Sequence, residues 1–298
     1  MPVTKEKNNA VNPLNEIPIW ILRTAKVLET VSQYLATRFA VTLFKSPIRY
    51  SLPESEKKMA KNARKIRCLV PETGKEVVVY IYGNAKKKAL LVHGWAGRGT
   101  QLHKIADKLV EQGFMTVSFD APAHGKSPGR TTMMTEFIAT ILLLEKTYGP
   151  FELAIGHSLG GMSLLNSLQQ GLQVQRSVCI GSGDRISDIL KNFVAKLALK
   201  PSMVKKMEAY FLQKYGEDIN QYSSHIAAGS VKIPTLVIHD TDDADVPVSC
   251  AYHIRQHLEA GTLLITQGLG HRRILRDEEV INRIIDFIRT EEQCTNTP

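Results

Sequence analysis

The chain has 298 residues, 43% of them apolar and 22% charged, which is enough apolar surface to offset chain entropy and excludes disorder for the bulk of it. A chain of this length buries roughly three quarters of its unfolded surface, so it needs no disulfide or metal staple, and one large α/β domain or two smaller ones are expected. The formal charge of +9 points to an anionic partner only where the basic residues gather.

They gather at one end. Residues 1–92 hold 17 Lys+Arg against 7 Asp+Glu, and the remaining 206 hold 21 against 22. The basic excess therefore belongs to the N-terminal segment, where any anionic surface would be met. No zinc finger, RNA-recognition signature or helix-turn-helix pattern aims that charge, so no nucleic acid partner is expected. Cys68, Cys179, Cys250 and Cys294 are far apart, which reads as free thiols in a reducing compartment rather than a disulfide or zinc framework. The first residues lack the apolar run of a signal peptide, and the uncharged stretch from Leu153 to Gln175 is too polar to span a membrane. A cytoplasmic protein is expected.

In chain order, residues 1–16 read as a polar, frayed end. From Ile17 to Phe44 the pattern is helical. Trp20, Val27, Leu28, Val31, Tyr34 and Leu35 share one face, while Arg23, Lys26, Glu29 and Gln33 lie away from its centre. That face is expected to dock on the protein body or on a second copy, or to rest on a membrane. Ile66–Val70 and Glu76–Tyr82 flank P-E-T-G and predict a β-hairpin. Strands then alternate with helices: Ala89–Val92, helix 101–112, Met115–Phe119, helix 131–147, Phe151–Ile155, a helix from Leu159 to Gln170, and Ser177–Ile180. Such alternation implies right-handed crossovers and a mainly parallel sheet. From 184 to 229 only helices are predicted, with Met203, Met207, Tyr210 and Phe211 suited to an adaptable apolar wall. Alternation resumes with Thr235–Ile238, helix 248–259, strand 262–266 and helix 277–290. The organisation expected is an N-terminal helical extension over 1–62 and one α/β domain over 63–298 with a helical insertion at 184–229.

The segment Leu153-Ala-Ile-Gly-His-Ser-Leu-Gly-Gly161 places G-x-S-x-G between a strand and a helix. Small residues two before and two after Ser158 permit a tight turn that lifts its hydroxyl from the sheet, and the helix N-terminus aims free N–H groups at the same spot. A serine hydroxyl needs a base, and the base an orienting acid. An acid cluster, Asp240, Asp242, Asp243 and Asp245, follows one late strand, and His271 follows the next. The cluster lacks the spacing and glycine of a calcium loop, so no metal is expected. Leu102 stands where a dinucleotide fingerprint would need a third glycine, so no cofactor is expected either.

With this order of serine, acid and histidine, the chain resembles the α/β-hydrolase superfamily, and within it the bacterial serine-hydrolase branch of small esterases and lysophospholipase-like enzymes. The resemblance spans roughly residues 66–290. It includes His93-Gly-Trp-Ala-Gly-Arg-Gly99 and Asp120-Ala-Pro-Ala-His-Gly-Lys-Ser127, with Ala123 in the usual glycine position. It also includes an acid motif ending at Val246-Pro247, in which Asp240 stands where glycine is usual. Counting back from Val246 gives Asp243 as the acid, with Asp242 and Asp245 as neighbouring alternatives. The resemblance implies an α/β-hydrolase fold, a lid at 184–229, and Ser158 as nucleophile, His271 as base and Asp243 as orienting acid. The backbone N–H groups of Trp95 and Leu159 would form the oxyanion site. It implies hydrolysis of an apolar or amphiphilic acyl ester without a cofactor; an acyl-thioesterase would use the same residues, as would a peptidase or a perhydrolase. A serine at 158 argues against epoxide hydrolases and dehalogenases, which use a carboxylate. The competing class is a binding or membrane-associated protein that keeps the fold without turnover. His93 and His124 are expected to bond loop backbone, and His157 to pack.

Overall fold

The computed structural model describes residues 17–289; the polar stretch 1–16 and Cys294 lie outside them. In chain order the elements are α1 (Ile19–Val31), α2 (Gln33–Phe44), α3 (Lys57–Asn62), β1 (Arg64–Val70), β2 (Lys75–Tyr82), β3 (Lys87–Val92), α4 (His103–Glu111), β4 (Phe114–Asp120), α5 (Met134–Tyr148), β5 (Phe151–His157), α6 (Leu159–Gln169) and β6 (Val174–Ile180). There follow α7 (Ile186–Lys196), α8 (Ser202–Tyr215), α9 (Ser224–Ala228), β7 (Thr235–Asp240), α10 (Ser249–His257), β8 (Gly261–Thr266), α11 (Gly270–Arg273) and α12 (Glu278–Arg289). Of the described residues, 17–44 with Ser187–Glu217 form one compact unit, and Lys45–Ile186 with 218–289 form the other.

The larger unit is built on an eight-stranded sheet of order β1-β2-β4-β3-β5-β6-β7-β8. The β1–β2 hairpin and its junction with β4 are antiparallel, and every other pairing is parallel. Side chains alternate between the two faces with the period of a strand. Leu91, Ile155 and Ile238 pack with Ile105 and Leu109 of α4 and with Ile281, Ile284 and Ile285 of α12. On the opposite face, Leu90, Val92 and Ala154 pack with Phe137, Ile141 and Leu144 of α5. Both faces are covered, as the near-continuous apolar runs of parallel strands require. This is the mainly parallel, helix-flanked α/β architecture that the strand–helix rhythm predicts. Part of the stretch expected as a helical insertion belongs to this unit: Ala227 and Ala228 of α9 are buried with Leu165 of α6 and Ile254 of α10.

In the smaller unit α1 and α2 lie with α7 and α8. The Phe44 ring meets Phe193 edge-on at 5.1 Å and Phe211 at 6.2 Å, and the Thr37 hydroxyl lies 3.4 Å from the sulfur of Met203. Glu29 is buried and accepts from the backbone N–H of Lys200 at 2.7 Å, while the Lys26 ammonium donates to the Ala198 carbonyl at 2.9 Å.

Of the placements expected for the N-terminal apolar face, docking on the protein body is not the one seen, and the helical stretch is not one continuous helix. The single helix is two, because Ser32 is extended (φ −156°, ψ 115°) and its hydroxyl accepts from the N–H of Leu35. The side that docks is not the apolar one. Ala25 and Glu29 face inward, and Trp20, Val27 and Val31 are 65%, 60% and 73% exposed. Two hydrogen bonds to the 198–200 turn and close packing of alanines outweigh the bulk of the opposite face. Among the described residues no helix is long and apolar enough to cross a membrane.

Candidate active site

The loops after β5, β7, β3 and β4, together with the His271 loop after β8, meet at the C-terminal ends of the parallel strands. After β5 the chain turns through Ser158, a non-glycine residue held at φ 54°, ψ −119°, a left-handed conformation costing about 1–3 kcal/mol that persists only where surrounding structure enforces it. The enforcement is visible: the Ser158 N–H donates to the Ile180 carbonyl at 2.9 Å, and its carbonyl accepts from the N–H groups of Gly161 and Met162 and from the Ser182 hydroxyl. Gly156 is required here, because a Cβ at that position would lie 2.5 Å from the Gly160 carbonyl oxygen.

After β7, Asp243 turns back toward the sheet. One carboxylate oxygen accepts from the N–H groups of Asp245 and Val246 at 2.9 and 2.8 Å. The other lies 2.7 Å from Nδ1 of His271 and 3.4 Å from Nε2 of His239. Burial alone would push this carboxyl up, but hydrogen bonds from His239, His271 and Val246 hold it far below the usual carboxylate range. Asp243 is therefore the acid that meets His271, while Asp242 is exposed and bonds locally to Thr241. Gly181 completes the fit: at φ 57°, a Cβ there would sit 3.3 Å from the His271 ring and 3.5 Å from the Asp243 carboxylate.

The residue that replaces the usual glycine has its own task. Asp240 is buried and accepts four hydrogen bonds, from the N–H groups of Asp242 (2.9 Å), Leu269 (3.0 Å) and Gly270 (2.9 Å) and from the Thr266 hydroxyl (2.7 Å). It ties the end of β7 to the loop that carries His271. Burial raises its pKa, and these bonds more than reverse that and leave it lowered. His157 is the other side chain whose part was not legible. Its Nε2 donates to the His271 carbonyl at 2.9 Å, and its ring lies 4.6 Å from the His271 ring. Burial and the neighbouring His271 hold its pKa well down, so it is a neutral donor that fixes the backbone of His271. A histidine immediately before the serine was the only sequence signal for it. No hydrogen bond joins the Ser158 hydroxyl to the His271 ring among the described residues; such contacts commonly tighten around a substrate.

The third loop follows β3. The Gly94 N–H donates to the Gln101 side chain at 2.9 Å and the Ala96 N–H to Nε2 of His124 at 3.1 Å. The Trp95 N–H between them and the Leu159 N–H at the start of α6 donate no hydrogen bond among the described residues. The fourth loop, after β4, is pinned by Asp120, which accepts from the N–H groups of Gly99 and Lys126 at 2.7 Å each. Arg49 donates to the Ala123, Ser127 and Gly129 carbonyls, so part of the N-terminal basic excess is stitched into this loop. Ala123, in the usual glycine position, takes a left-handed φ of 65°.

His93 and His124 do bond loop backbone. His93 donates from Nδ1 to the Gly94 carbonyl at 2.7 Å and accepts at Nε2 from the Ala121 N–H at 3.0 Å. Burial pushes His93 down to about 4, and burial with the neighbouring His93 pushes His124 down to about 2. The unfolded chain takes up these protons near the ordinary value of 6.5 while the folded chain refuses them until lower pH. Protonation in that interval favours unfolding. Stability supplied by His93 is complete above about pH 6.5 and is lost as pH falls toward 4, by about 3 kcal/mol from a shift of this size. Urea titrations at a series of pH values should show that decline, and a His93→Gln variant should show a shallower one.

Chemically, the arrangement offers a hydroxyl on a strained turn, an imidazole held by a buried ionised carboxylate, and two backbone N–H donors on rigid loops. Residues 89–283 match the alpha/beta hydrolase family. The chain is 22% identical over 250 residues to a protein of Variovorax paradoxus (strain S110) provisionally named as the carbamate hydrolase RutD, covering 70% of this chain and 94% of that one. Among solved structures it is similar to the esterase Pf2001 of Pyrococcus furiosus (TM-score 0.62, 18% identity, 82% of this chain and 96% of that one). It is also similar to a bromoperoxidase from Bacillus anthracis (TM-score 0.60, 15% identity, 76% of this chain and all of that one). At these identities the structural likenesses speak for the fold alone, and the family match, over about two thirds of the residues, speaks for membership. The chain belongs to the alpha/beta hydrolase family and is a hydrolytic enzyme.

Proposed function

We propose that this enzyme cleaves a carboxylic ester through an acyl-enzyme formed on Ser158. One observation carries the reading: the strained Ser158 turn stands at a helix N-terminus, directly after His157, whose ring lies 4.6 Å from the imidazole of His271 that a buried, ionised Asp243 holds at 2.7 Å. His271 takes the hydroxyl proton as the serine oxygen attacks the acyl carbon, and returns it to the departing alcohol. A water activated by the same imidazole then releases the acid and restores Ser158. Asp243 keeps the proton of the neutral ring on Nδ1 and stabilises the imidazolium. The N–H groups of Trp95 and Leu159 receive the developing oxyanion, each such donor typically contributing about 3–4 kcal/mol. A graded panel of p-nitrophenyl esters, matched thioesters and N-alkyl carbamates tests this. Esters are expected to give the highest kcat/KM. A marked preference for carbamates, the substrate class in the Variovorax relative's name, would move the reaction to that class, and a preference for thioesters to an acyl-thioesterase.

The exposed face of α1 favours a second property alongside turnover, peripheral contact with an anionic membrane. Trp20, Val27 and Val31 stand exposed beside Arg23 and Lys26, a combination that suits the boundary between headgroups and acyl chains. Vesicles rich in phosphatidylglycerol should co-sediment the wild type and release a Trp20→Ser, Val27→Ser, Val31→Ser variant, with hydrolysis of a soluble ester unchanged. Equal sedimentation of both proteins would remove the proposal.

A further inference from the structure

A second cluster of chemistry-bearing side chains lies in the α/β unit, assembled from three elements distant in sequence. Asp184 follows β6, His225 is in α9 and His253 is in α10. Nδ1 of His225 lies 2.7 Å from one Asp184 carboxylate oxygen, and Nδ1 of His253 lies 2.5 Å from the other. The nearest ligating atoms of the three residues all lie within 4.8 Å of one another. The two rings are 4.6 Å apart, and the ring of His257, one turn beyond His253, lies 4.7 Å from His253 and 5.4 Å from His225.

The carboxylate is held in place before any ligand arrives. The His225 N–H donates to Asp184 at 2.9 Å, the Ser224 N–H donates to the Asp184 carbonyl at 3.0 Å, and the Ser224 hydroxyl donates to the Gly183 carbonyl at 2.7 Å. His253 is flanked by Ala251 and Ile254, both fully buried, so α10 cannot roll away from the cluster. The Asp184 side chain is 5% exposed while those of His225 and His253 are 21% and 27% exposed, which gives a fixed floor and an open mouth. Burial raises the Asp184 pKa, but the bonds from His253 and His225 reverse that and leave it ionised below the usual range.

We propose that Asp184, His225 and His253 bind a divalent transition-metal ion of the zinc type, remote in role from ester cleavage. Two imidazole nitrogens and a carboxylate supply three of the four positions such an ion takes, and water fills the fourth. Binding replaces the two N–H to carboxylate hydrogen bonds: each neutral ring moves its proton from Nδ1 to Nε2, the Nδ1 lone pair goes to the metal, and no net proton is released. Tetrahedral ligands about 2.0–2.1 Å from the metal stand about 3.3 Å apart, so the present contacts must open by roughly 0.6–0.8 Å, within reach of partly exposed rings. Arg185, with Nε 3.9 Å from Asp184 and its side chain half exposed, can turn into water as an ion enters. The bound ion would pin the β6 loop, α9 and α10 together, so its effect is on stability.

The full chain, stripped with chelator and titrated with Co²⁺ as a spectroscopic stand-in for Zn²⁺, should bind one equivalent with visible absorption bands of a tetrahedral site. His225→Gln and His253→Gln should each weaken binding about 100-fold and leave ester hydrolysis unchanged. Zn²⁺ in large excess over its Kd should raise the unfolding midpoint of the wild type by roughly 5 °C. Anomalous scattering from zinc-soaked wild-type crystals places the ion independently of any variant's folding. A peak between Asp184, His225 and His253 is the expected result. No stoichiometric binding, unchanged affinity in both variants, or a peak on His271 and Asp243 instead would overturn the proposal.

Discussion

Replacing Ser158 by alanine is expected to lower kcat for the best ester of the panel by four to six orders of magnitude, leaving a residue of catalysis from the oxyanion donors and from binding. The loss should fall on kcat rather than KM, because the hydroxyl contributes only once its oxygen attacks the acyl carbon. Stability should change little or rise. Alanine keeps the Cβ that packs beside Gly94, and the hydroxyl makes no hydrogen bond among the described residues. A variant that lost activity by unfolding would betray itself in its melting curve. A folded Ser158→Ala enzyme with wild-type turnover would remove the nucleophile.

Asp243→Asn is the second large effect, expected to cost about 10,000-fold in kcat with the geometry nearly intact. An asparagine amide turned toward His271 would donate where the carboxylate accepts, so the neutral ring would carry its proton on the wrong nitrogen. The same substitution at Asp242 should cost less than twofold, since that side chain is exposed and bonds only within its own turn. Asp240→Asn is expected to act on stability: it cannot accept all four bonds that hold the His271 loop, and a buried N–H or hydroxyl left unpaired costs about 1–3 kcal/mol. The contrast among these three aspartates, separated by three positions, distinguishes orientation of His271 from anchoring of its loop.

What was legible in the sequence follows the range of the forces involved. The strand–helix rhythm and the turn at Ser158 depend on local periodicity and on small residues next to one another, so the parallel sheet and the elbow could be read directly. Counting back from Val246 pointed to Asp243, while Asp242 and Asp245 stayed as alternatives because which carboxylate turns inward is set by tertiary structure. Periodicity marks the apolar stripe of the N-terminal helix but not what covers it, so its three possible partners could not be told apart from sequence. In the folded chain Glu29 and Ala25 dock through hydrogen bonds and close approach, and Trp20 faces outward. The Asp184–His225–His253 cluster was invisible because its members lie 28 to 69 positions apart. Only His253 and His257, one turn apart on a helix, hinted at it.

The most direct test of the central claim is mass-spectrometric mapping of the full-length enzyme after reaction with a fluorophosphonate. A single phosphonyl adduct on the peptide bearing Ser158, formed quickly in the wild type and slowly in Asp243→Asn, is the expected result. A folded wild-type enzyme that turns over esters yet carries no adduct at Ser158, or carries it on another residue, would contradict the account.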